Sequence, residues 1–483
     1  MNFFDYLFEQ TKELEKNLLL RKSEQASYHE IHVTSLFLAQ HIQETIGSRN
    51  NILIISANSL FFITAYLAII KSNNICIPLN PEIEEGTLKY ILKECNPKLI
   101  FTPYAHNQTL IDAKWKIVDE KALKEIVNQK AEIKLLESDF DSNNIAEIIF
   151  TSGTTGTPKG VMLTHKNLIA NTNSIISYLE LSEKDTMLVV LPFNYCYGLS
   201  LLHTHIRVGG SLVLNNSFMF LGTVINNLKE YKCTGFAGVP THFQILLRKT
   251  KDFKNTDFPN LKYVTQAGGK LHDAFILEFI ETFPKIKFYV MYGQTEATAR
   301  LSFLPPHLIR KKIGSIGKGI PGVDLNVIDS FDNQVKTGEV GELVARGENI
   351  MLGYYNDEKT TKETIRNNWL RTGDLGVIDD EGFIYITGRR KEILKIRGNR
   401  ISPKEIEGVI LQIENVIDCI ISETMDDTVG ETIKAEIIVN NDSGITSDFI
   451  QEYCSKELES FKIPRVIEIK KTFKLNASGK KYN

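Results

Sequence analysis

The chain has 483 residues, of which 42% are hydrophobic and 24% are charged, and its formal net charge is -3. This composition predicts a soluble globular protein with more than one domain, and it excludes a disordered chain. The small net charge also argues against a general binder of nucleic acids or anionic membranes. The six cysteines include no C-x-x-C pair, which favours a reducing compartment and no structural zinc.

The beginning of the chain and its apolar runs bear on location. The first residues show no basic-then-apolar signal pattern, and the longest apolar run, Leu60 to Ile70, is too short to span a bilayer. We therefore expect no transmembrane segment and a cytoplasmic protein.

The first third of the chain predicts alternating strands and helices. Residues 1–50 show helical spacing of apolar side chains. Short apolar runs beyond them read as strands separated by helices, and this β-α-β order predicts a parallel sheet with helices on its faces. The strands are Ile52–Ile55, Ile75–Ile77 and Leu99–Phe101, and the helices are Leu60–Ile70 and Glu84–Cys95. Residues 105–144 are polar and end in a loop, Glu137–Asn144, that leads into the next apolar run.

The stretch Thr151–Val161, TSGTTGTPKGV, lies between the apolar runs Ile148–Phe150 and Val161–Leu163. Bare glycine N–H groups, hydroxyls and one lysine suit a polyanion such as a triphosphate. The next helix begins only beyond Thr164, so the stretch reads as the tip of a β-hairpin. It is not a Walker loop, which would require G-K-[ST] leading into a helix.

The second half of the chain predicts another β/α alternation, with Gly-rich turns at strand ends where ligands bind in open sheets. A smaller β subdomain is expected around Val340–Val344 and Gly382–Ile386. A compact α+β domain with a basic entry follows Gly388, and Ser402 to Glu405 reads as a helix-capping box. The domains are predicted as 1–388 and 389–483.

The whole of TSGTTGTPKGV resembles the phosphate-loop signature of the adenylate-forming superfamily, the AMP-dependent synthetases and ligases. The chain looks most like acyl-CoA synthetases within that superfamily. Further motifs in the family's order cover about residues 50–480: YGQTE at Tyr292–Glu296, TGD ending at Asp374, GR at Gly388–Arg389 and GK ending at Lys480. The resemblance implies an α/β fold with a large N-terminal domain and a small, mobile C-terminal domain.

The resemblance assigns residue roles around ATP and Mg²⁺. The Tyr292 ring would stack on adenine, Thr295 would contact the α-phosphate, and Glu296 would bind the metal. Asp374 would hold the ribose, with Arg389 also reaching the nucleotide. The full nucleotide and cofactor set is Thr151, Ser152, Gly153, Thr154, Thr155, Gly156, Thr157, Lys159, Tyr292, Gly293, Gln294, Asp374, Arg389, Gly268, Gly269 and Gly398.

The C-terminal motifs imply two catalytic arrangements. Lys480 would bridge the carboxylate and phosphate oxygens during adenylation, stabilising charge as it develops. Lys391 matches the hinge position, and Lys395 and Gly398 match the face used for thiol transfer. Read without the resemblance, residues 389–391 are a solvated basic face and the end of the chain is a lysine-rich tail.

The acid substrate is constrained by the predicted pocket. Its walls are Tyr195, Val239, Ala267, Gly268, Gly269, Met291 and Gly293. Cys196 stands where amino-acid-activating members carry aspartate, so an amino acid is disfavoured. Neutral walls favour an apolar or aromatic carboxylate, as in fatty acid metabolism. His203 and His205 read as packed or hydrogen-bonded side chains rather than metal ligands.

The sequence thus predicts an acid–thiol ligase that forms an acyl-adenylate and pyrophosphate, then transfers the acyl group to a thiol and releases AMP. The thiol is CoA or the phosphopantetheine of a separate acyl or peptidyl carrier protein. The short run from Arg300 to Gly317 mildly favours CoA over a carrier-specific acyl-AMP ligase. Two rival readings are an adenylate-binding module with weakened catalysis and a P-loop kinase, which would yield ADP. The oligomeric state is left open.

Overall fold

A computed structural model describes residues 1–21, 23–104, 115–128, 133–134, 140–151, 157–389, 394–396, 399–426, 430–440 and 444–473, without the side chains of residues 395, 399, 400, 426 and 430. In chain order the strands are β1 (Asn17–Arg21), β2 (Glu24–Ser27), β3 (Asn51–Ile55), β4 (Ile75–Leu79), β5 (Leu99–Phe101), β6 (Ile117–Val118), β7 (Ile145–Thr151), β8 (Lys159–Thr164), β9 (Thr186–Val189), β10 (Ser211–Leu214), β11 (Gly235–Gly238), β12 (Tyr263–Gln266), β13 (Lys287–Tyr292), β14 (Ser302–Leu304), β15 (Lys318–Gly319), β16 (Val323–Ile328), β17 (Gly341–Gly347), β18 (Gly353–Tyr354), β19 (Ile365–Arg366), β20 (Trp369–Ile378), β21 (Ile384–Arg389), β22 (Leu394–Ile396), β23 (Asn399–Ile401), β24 (Val416–Asp426), β25 (Gly430–Val439) and β26 (Val466–Lys470). The α-helices are Phe3–Phe8, Tyr28–Ile46, Leu60–Lys71, Glu85–Cys95, Glu120–Asn128, His165–Leu179, Cys196–Val208, Leu221–Glu230, Pro240–Arg248, Lys251–Asn255, Asp273–Thr282, Glu358–Thr364, Pro403–Ile410 and Ser447–Glu457, and short 3-10 helices span Thr295–Ala297, Pro306–Leu308 and Ser460–Lys462.

Two large sheets form the N-terminal part of the chain. A seven-stranded sheet has the order β18-β8-β7-β4-β3-β5-β6, and a nine-stranded sheet has the order β15-β14-β13-β12-β11-β9-β10-β1-β2. The central strands of both are parallel, and antiparallel strands close the edges. Parallel strands are joined by crossover helices, so the carboxyl ends of β11, β12 and β13 lie at one edge of the larger sheet.

The apolar core lies between these two sheets. Helix Leu60–Lys71 is buried along almost its whole length, and helix Cys196–Val208 is buried through Ile206. Both pack with side chains from β3, β8, β9 and β13 in a single cluster. A helix that is apolar on every face is stable only in such an enclosed position.

The smaller units follow in the order that the sequence predicts. A five-stranded antiparallel sheet contains β16-β17-β20-β19, with β21 paired to β20. The C-terminal part has the hairpin β22-β23 and the sheet β24-β25-β26, packed with helices Pro403–Ile410 and Ser447–Glu457. The predicted α/β class, with a large N-terminal part, a β subdomain and a small α+β C-terminal domain, is confirmed.

Local predictions fail in three places. The first 50 residues contain the β1-β2 hairpin beside their helices, and the polar range 105–144 contains β6 and helix Glu120–Asn128, neither of which was predicted. The predicted capping box is also wrong. Pro403 does begin the helix, but the Ser402 side chain caps nothing and its hydroxyl instead donates to the Thr387 carbonyl at 3.2 Å.

Within the described residues, no helix combines the length and the apolar character needed to cross a membrane. All six cysteines lie in the described ranges, and none of them forms a disulfide.

Candidate active site

The phosphate-loop stretch is a β-hairpin, as predicted. β7 and β8 pair antiparallel as far as Thr151 opposite Lys159, and the Thr151 hydroxyl donates to the Lys159 carbonyl at 3.4 Å. The loop residues Ser152, Gly153, Thr154, Thr155 and Gly156 lie outside the described residues. Thr157 is exposed. The next helix begins after Thr164, whose side chain accepts from the Asn167 N–H.

A tyrosine that sequence reasoning missed joins this hairpin to the predicted metal ligand. Tyr354 lies on β18, which pairs with β8. The Lys159 ammonium lies 5.2 Å from the centre of the Tyr354 ring, and the Tyr354 hydroxyl donates to Glu296 Oε1 at 2.8 Å. Burial and the Glu296 carboxylate raise the pKa of Tyr354 well above its usual value. The hydroxyl therefore remains a donor that orients Glu296.

Asp374 is the centre of a second polar cluster. Its carboxylate is 4% exposed and accepts from the Tyr292 hydroxyl at 2.6 Å and from Arg389 Nε at 2.8 Å. Tyr292 ends β13, whereas Asp374 and Arg389 are opposite each other on β20 and β21. Three predicted nucleotide residues from separate parts of the sequence thus form one connected group.

Thr295 and Gln294 lie between that cluster and Glu296. Thr295 is buried at the start of a 3-10 helix, and its hydroxyl is 3.5 Å from the Cys196 thiol. The Gln294 side-chain nitrogen is buried and has no hydrogen-bond partner within the described residues. A buried amide donor of this kind is costly unless a ligand satisfies it.

The predicted acyl-pocket walls converge at one edge of the nine-stranded sheet. Val239 follows β11, Ala267 and Gly268–Gly269 follow β12, and Met291 lies near the end of β13. Tyr195 precedes helix Cys196–Val208, which packs against this edge. Val239, Ala267 and Met291 are each less than 5% exposed. Ligands bind at such carboxyl edges in open α/β sheets.

Arg300 is a second residue that sequence reasoning missed. It follows the YGQTE motif, and its side chain is fully buried beside the pocket walls. The guanidinium carbon lies 3.9 Å from the centre of the Tyr197 ring. Its neighbours Ala299 and Leu301 are apolar, so the sequence around it reads as ordinary core although it carries a charge.

The two helix histidines, His203 and His205, are buried and hydrogen-bonded. The His203 Nε2 atom lies 2.8 Å from the Tyr66 hydroxyl, and His205 Nδ1 lies 2.9 Å from the Leu201 carbonyl. Burial lowers the pKa of His203 to about 3 and that of His205 to about 4. Both rings are therefore neutral packing residues, in agreement with the sequence interpretation.

The predicted C-terminal residues are described only in part. Lys395 lies on β22 opposite Arg400, and its side chain is not described. Lys391, Gly398 and Lys480 lie outside the described residues, so their predicted roles stay predictions.

Two family descriptions match the chain. The description AMP-binding enzyme matches residues 8–355, and AMP-binding enzyme C-terminal domain matches residues 405–480. The chain belongs to the AMP-binding enzyme family.

Curated relatives and solved structures agree with this membership. The chain is similar to an oxalate–CoA ligase of Saccharomyces cerevisiae, with 30% identity over 88% of this chain and 83% of the relative. It is also similar to an oxalate–CoA ligase of Arabidopsis thaliana, with 28% identity over 88% and 85% of the two chains. Among solved structures, an anthranilate CoA ligase in complex with anthranoyl-AMP matches with a TM-score of 0.90 at 23% identity, covering 100% of this chain and 95% of that one.

The activity of the chain follows from its family and its relatives. It is an acid–thiol ligase, which uses ATP to activate a carboxylate as an acyl-adenylate and then transfers the acyl group to a thiol.

Proposed function

We propose that the chain is an AMP-forming acyl-CoA synthetase whose nucleotide site is the cluster centred on Asp374. That cluster is the observation that carries the proposal. A buried carboxylate can accept from both hydroxyls of a ribose, while the Tyr292 ring offers an aromatic face to adenine. Arg389 balances the charge of Asp374 and would also reach the nucleotide.

The residues around Glu296 fit Mg²⁺. Magnesium is commonly held by one or two carboxylates together with substrate phosphates, so a single protein carboxylate is enough. Within the described residues there is no group of three or more potential metal-ligating side chains. When bound, Mg²⁺ would neutralise charge on the triphosphate.

In the proposed adenylation step, a few side chains bind the phosphates and stabilise the developing charge. Thr295 would donate to the α-phosphate, and Lys159 with the hairpin loop would bind the outer phosphates. Lys480 would stabilise the charge that develops as the carboxylate attacks phosphorus. The attack forms the acyl–O–P bond and breaks the bond to pyrophosphate, which leaves.

Thioester formation requires a second arrangement of the C-terminal domain. We place the boundary at residues 1–388 and 389–483, with Lys391 as the hinge and Lys395 and Gly398 on the thiol side. In the structure the C-terminal part contacts helix Pro240–Arg248: the Gln244 amide donates to Asp418 at 3.2 Å, and Asn440 donates to the Arg248 carbonyl at 3.1 Å. Rotation of the domain would have to break these polar bonds, together with the apolar contacts that side chains of the two parts share in one cluster.

CoA is the proposed acceptor, because the relatives named above are CoA ligases. The segment between Arg300 and Gly317 is occupied by β14 and a short 3-10 helix, with little room for a carrier-specific insertion. A separate carrier protein bearing phosphopantetheine is the alternative acceptor. The buried cysteines without disulfides support a reducing compartment such as the cytoplasm.

The test is acid-dependent exchange of pyrophosphate into ATP, with Lys480→Ala as the variant and the neighbouring Lys481→Ala as the matched control. We expect Lys480→Ala to lower exchange about 100- to 1000-fold and the control to change it little. Adding CoA or a phosphopantetheine-bearing carrier protein then identifies the acceptor by AMP release. ATP binding without exchange for any acid would contradict the proposal and favour an adenylate-binding module, whereas ADP formation would indicate kinase chemistry.

A further inference from the structure

Arg300 is a buried cation whose backbone is firmly held. Its side chain is part of a residue only 2% exposed. Its carbonyl accepts from the side-chain amides of Asn349 at 2.8 Å and Asn171 at 3.3 Å. The position of the residue is therefore fixed by two separate segments of the chain.

The hydrogen-bonding capacity of the guanidinium group is only partly satisfied by the described residues. Within the described residues the guanidinium donates to the carbonyl of the neighbouring Ala299 at 3.3 Å and interacts by a hydrogen bond with the Tyr178 side chain, whereas its Nε atom is buried without a hydrogen-bond partner. None of the ion pairs in the described part of the chain includes Arg300. An arginine carries five N–H donors and stays charged in proteins, so part of its hydrogen-bonding capacity, Nε included, is not used by the described residues.

The surroundings of the guanidinium are aromatic rather than acidic. It lies over the Tyr197 ring, whose hydroxyl is already bonded to Thr265 at 2.8 Å. Burial raises the pKa of Tyr178 to about 12, and the charge of Arg300 and its hydrogen bond to Tyr178 oppose this shift, so the Tyr178 hydroxyl is neutral. Stacking on a tyrosine offsets only part of the loss of water around a cation.

The same contacts place Arg300 beside the proposed acyl pocket. The Tyr178 hydroxyl donates to the Met291 sulfur at 3.0 Å, and Met291 is one of the pocket walls. Tyr197 lies in the first turn of the helix that Tyr195, another wall, precedes. The unused donors of Arg300 are therefore within the layer of side chains that encloses the acid.

We propose that Arg300 binds a second carboxylate on the acid substrate, so that the enzyme activates dicarboxylic acids. The planar guanidinium matches a carboxylate in geometry and charge, and a substrate anion would supply the acidic partner that the described residues do not provide. Neutral walls still accommodate an apolar or aromatic body between the two carboxylates. This inference rests on the acid-activating function proposed above and names its substrate class.

The experiment compares acids that differ in the second carboxylate alone: propanoate with malonate, butanoate with succinate, hexanoate with adipate, and benzoate with isophthalate. Binding is measured by titration calorimetry in the presence of Mg²⁺ and α,β-methylene-ATP, which needs no turnover, and kcat and KM are measured by pyrophosphate exchange. The variants are Arg300→Leu, Arg300→Gln and Arg300→Lys. Arg346→Gln is the matched control, because Arg346 also stacks on an aromatic ring, Trp369, but at the surface.

We expect the wild-type protein to prefer the dicarboxylate in at least one pair. Arg300→Leu and Arg300→Gln should raise the KM of that dicarboxylate by about 30-fold or more, with little change in kcat, and should leave the matched monocarboxylate unaffected or better bound. Arg300→Lys should retain part of the preference, and Arg346→Gln all of it. The Gln and Lys variants keep the test open if the Leu variant fails to fold.

Two results would overturn the inference: a wild-type preference for the monocarboxylate in every pair, or variants that weaken both members of a pair equally through kcat. The second pattern is that of a purely structural arginine. A calorimetric preference for dicarboxylates without any exchange would support Arg300 as the anion site while contradicting the proposed ligase chemistry, so the two proposals can fail separately.

Discussion

The nucleotide half and the acyl half of the active site differ in whether their buried charged side chains have partners within the protein. In the nucleotide half, Asp374 is paired with Arg389 and bonded to Tyr292, and Glu296 is bonded to Tyr354. In the acyl half, Arg300 is buried without an acidic partner among the described residues. In the nucleotide half, protein side chains pair with the buried charges. In the acyl half, the proposed partner of the Arg300 charge is an anionic group of the substrate.

This difference separates two requirements of the reaction. ATP and Mg²⁺ serve every turnover, so their binding groups can be preorganised by bonds within the chain. The acid is the variable reactant, and an unpaired cation excludes acids that cannot supply its partner, because a buried unpaired charge is costly. Variants in the two halves should therefore affect different kinetic constants.

The largest effect is expected for Asp374→Ala. The substitution removes the proposed ribose acceptor and leaves Arg389 without this partner, with a loss of two charge-assisted hydrogen bonds at about 1.5–3 kcal/mol each. We expect kcat/KM for ATP to fall about 1000-fold while the KM for the acid stays nearly constant. Pyrophosphate exchange with ATP and acid varied separately measures both. An equal rise in the two KM values would break the distinction between the halves.

A smaller effect is expected for Glu147→Gln. Asp374 is buried with a charged partner and Arg300 without one, whereas Glu147 tests a third case, an ionisable group that is buried in its neutral form. Glu147 lies on β7, 1% exposed, and accepts from the Tyr66 hydroxyl at 3.0 Å. Burial raises the pKa of Glu147 to about 8, so the folded protein holds this carboxyl protonated and neutral. An arginine such as Arg300 cannot become neutral when it is buried, because its guanidinium is not deprotonated in proteins.

The sign of the resulting pH dependence is definite. Between pH 4.5, the ordinary pKa of the group, and about pH 8 the unfolded chain loses the Glu147 proton and the folded chain keeps it. The free energy of unfolding therefore falls as pH rises, by roughly 1.4 kcal/mol per pH unit from this group. Glu147→Gln should remove that contribution, as measured by urea unfolding at several pH values. The exposed Glu125→Gln is the control, and parallel pH curves for wild type and Glu147→Gln would contradict the prediction.

The smallest effect is expected for Tyr354→Phe. It removes the hydroxyl that orients Glu296 and keeps the ring beside Lys159. Loss of such a supporting hydrogen bond typically weakens metal use by about 10- to 100-fold, and we expect the lower end because phosphates supply other ligands. The Mg²⁺ concentration for half-maximal exchange should rise about tenfold. Unchanged Mg²⁺ dependence would remove Glu296 from the proposed metal site.

Prediction from sequence was strongest where local pattern decides structure. The apolar runs and turn residues predicted the hairpin at Thr151–Lys159 and the β-α order, since period and turn chemistry are local properties. The Asp374 cluster was predicted residue by residue from motifs, but its connection through Tyr292 was not.

What sequence reasoning missed depends on long-range pairing. Tyr354 reaches Glu296 because β18 pairs with β8, and nothing near Tyr354 in the sequence indicates that register. Arg300 and Glu147 were hidden in apolar surroundings that read as ordinary core. Ser402 matched a capping pattern, but its hydroxyl bonds the Thr387 carbonyl instead, because tertiary contacts outweigh a local preference.

Gly293 lies where the nucleotide half and the acyl half of the active site meet, and this position bears on how related enzymes can diverge in substrate choice. A Cβ at this position would lie 2.1 Å from the Ala299 carbonyl oxygen and 2.8 Å from the Arg300 Cα, so the glycine lets the chain fold back and brings position 300 beside the motif. Gly293 therefore permits this close backbone approach, whereas the side chain at position 300 belongs to the acyl half. Single substitutions at this position can therefore create new acid selectivity in descendants of one ancestor, with adenine and ribose recognition inherited intact.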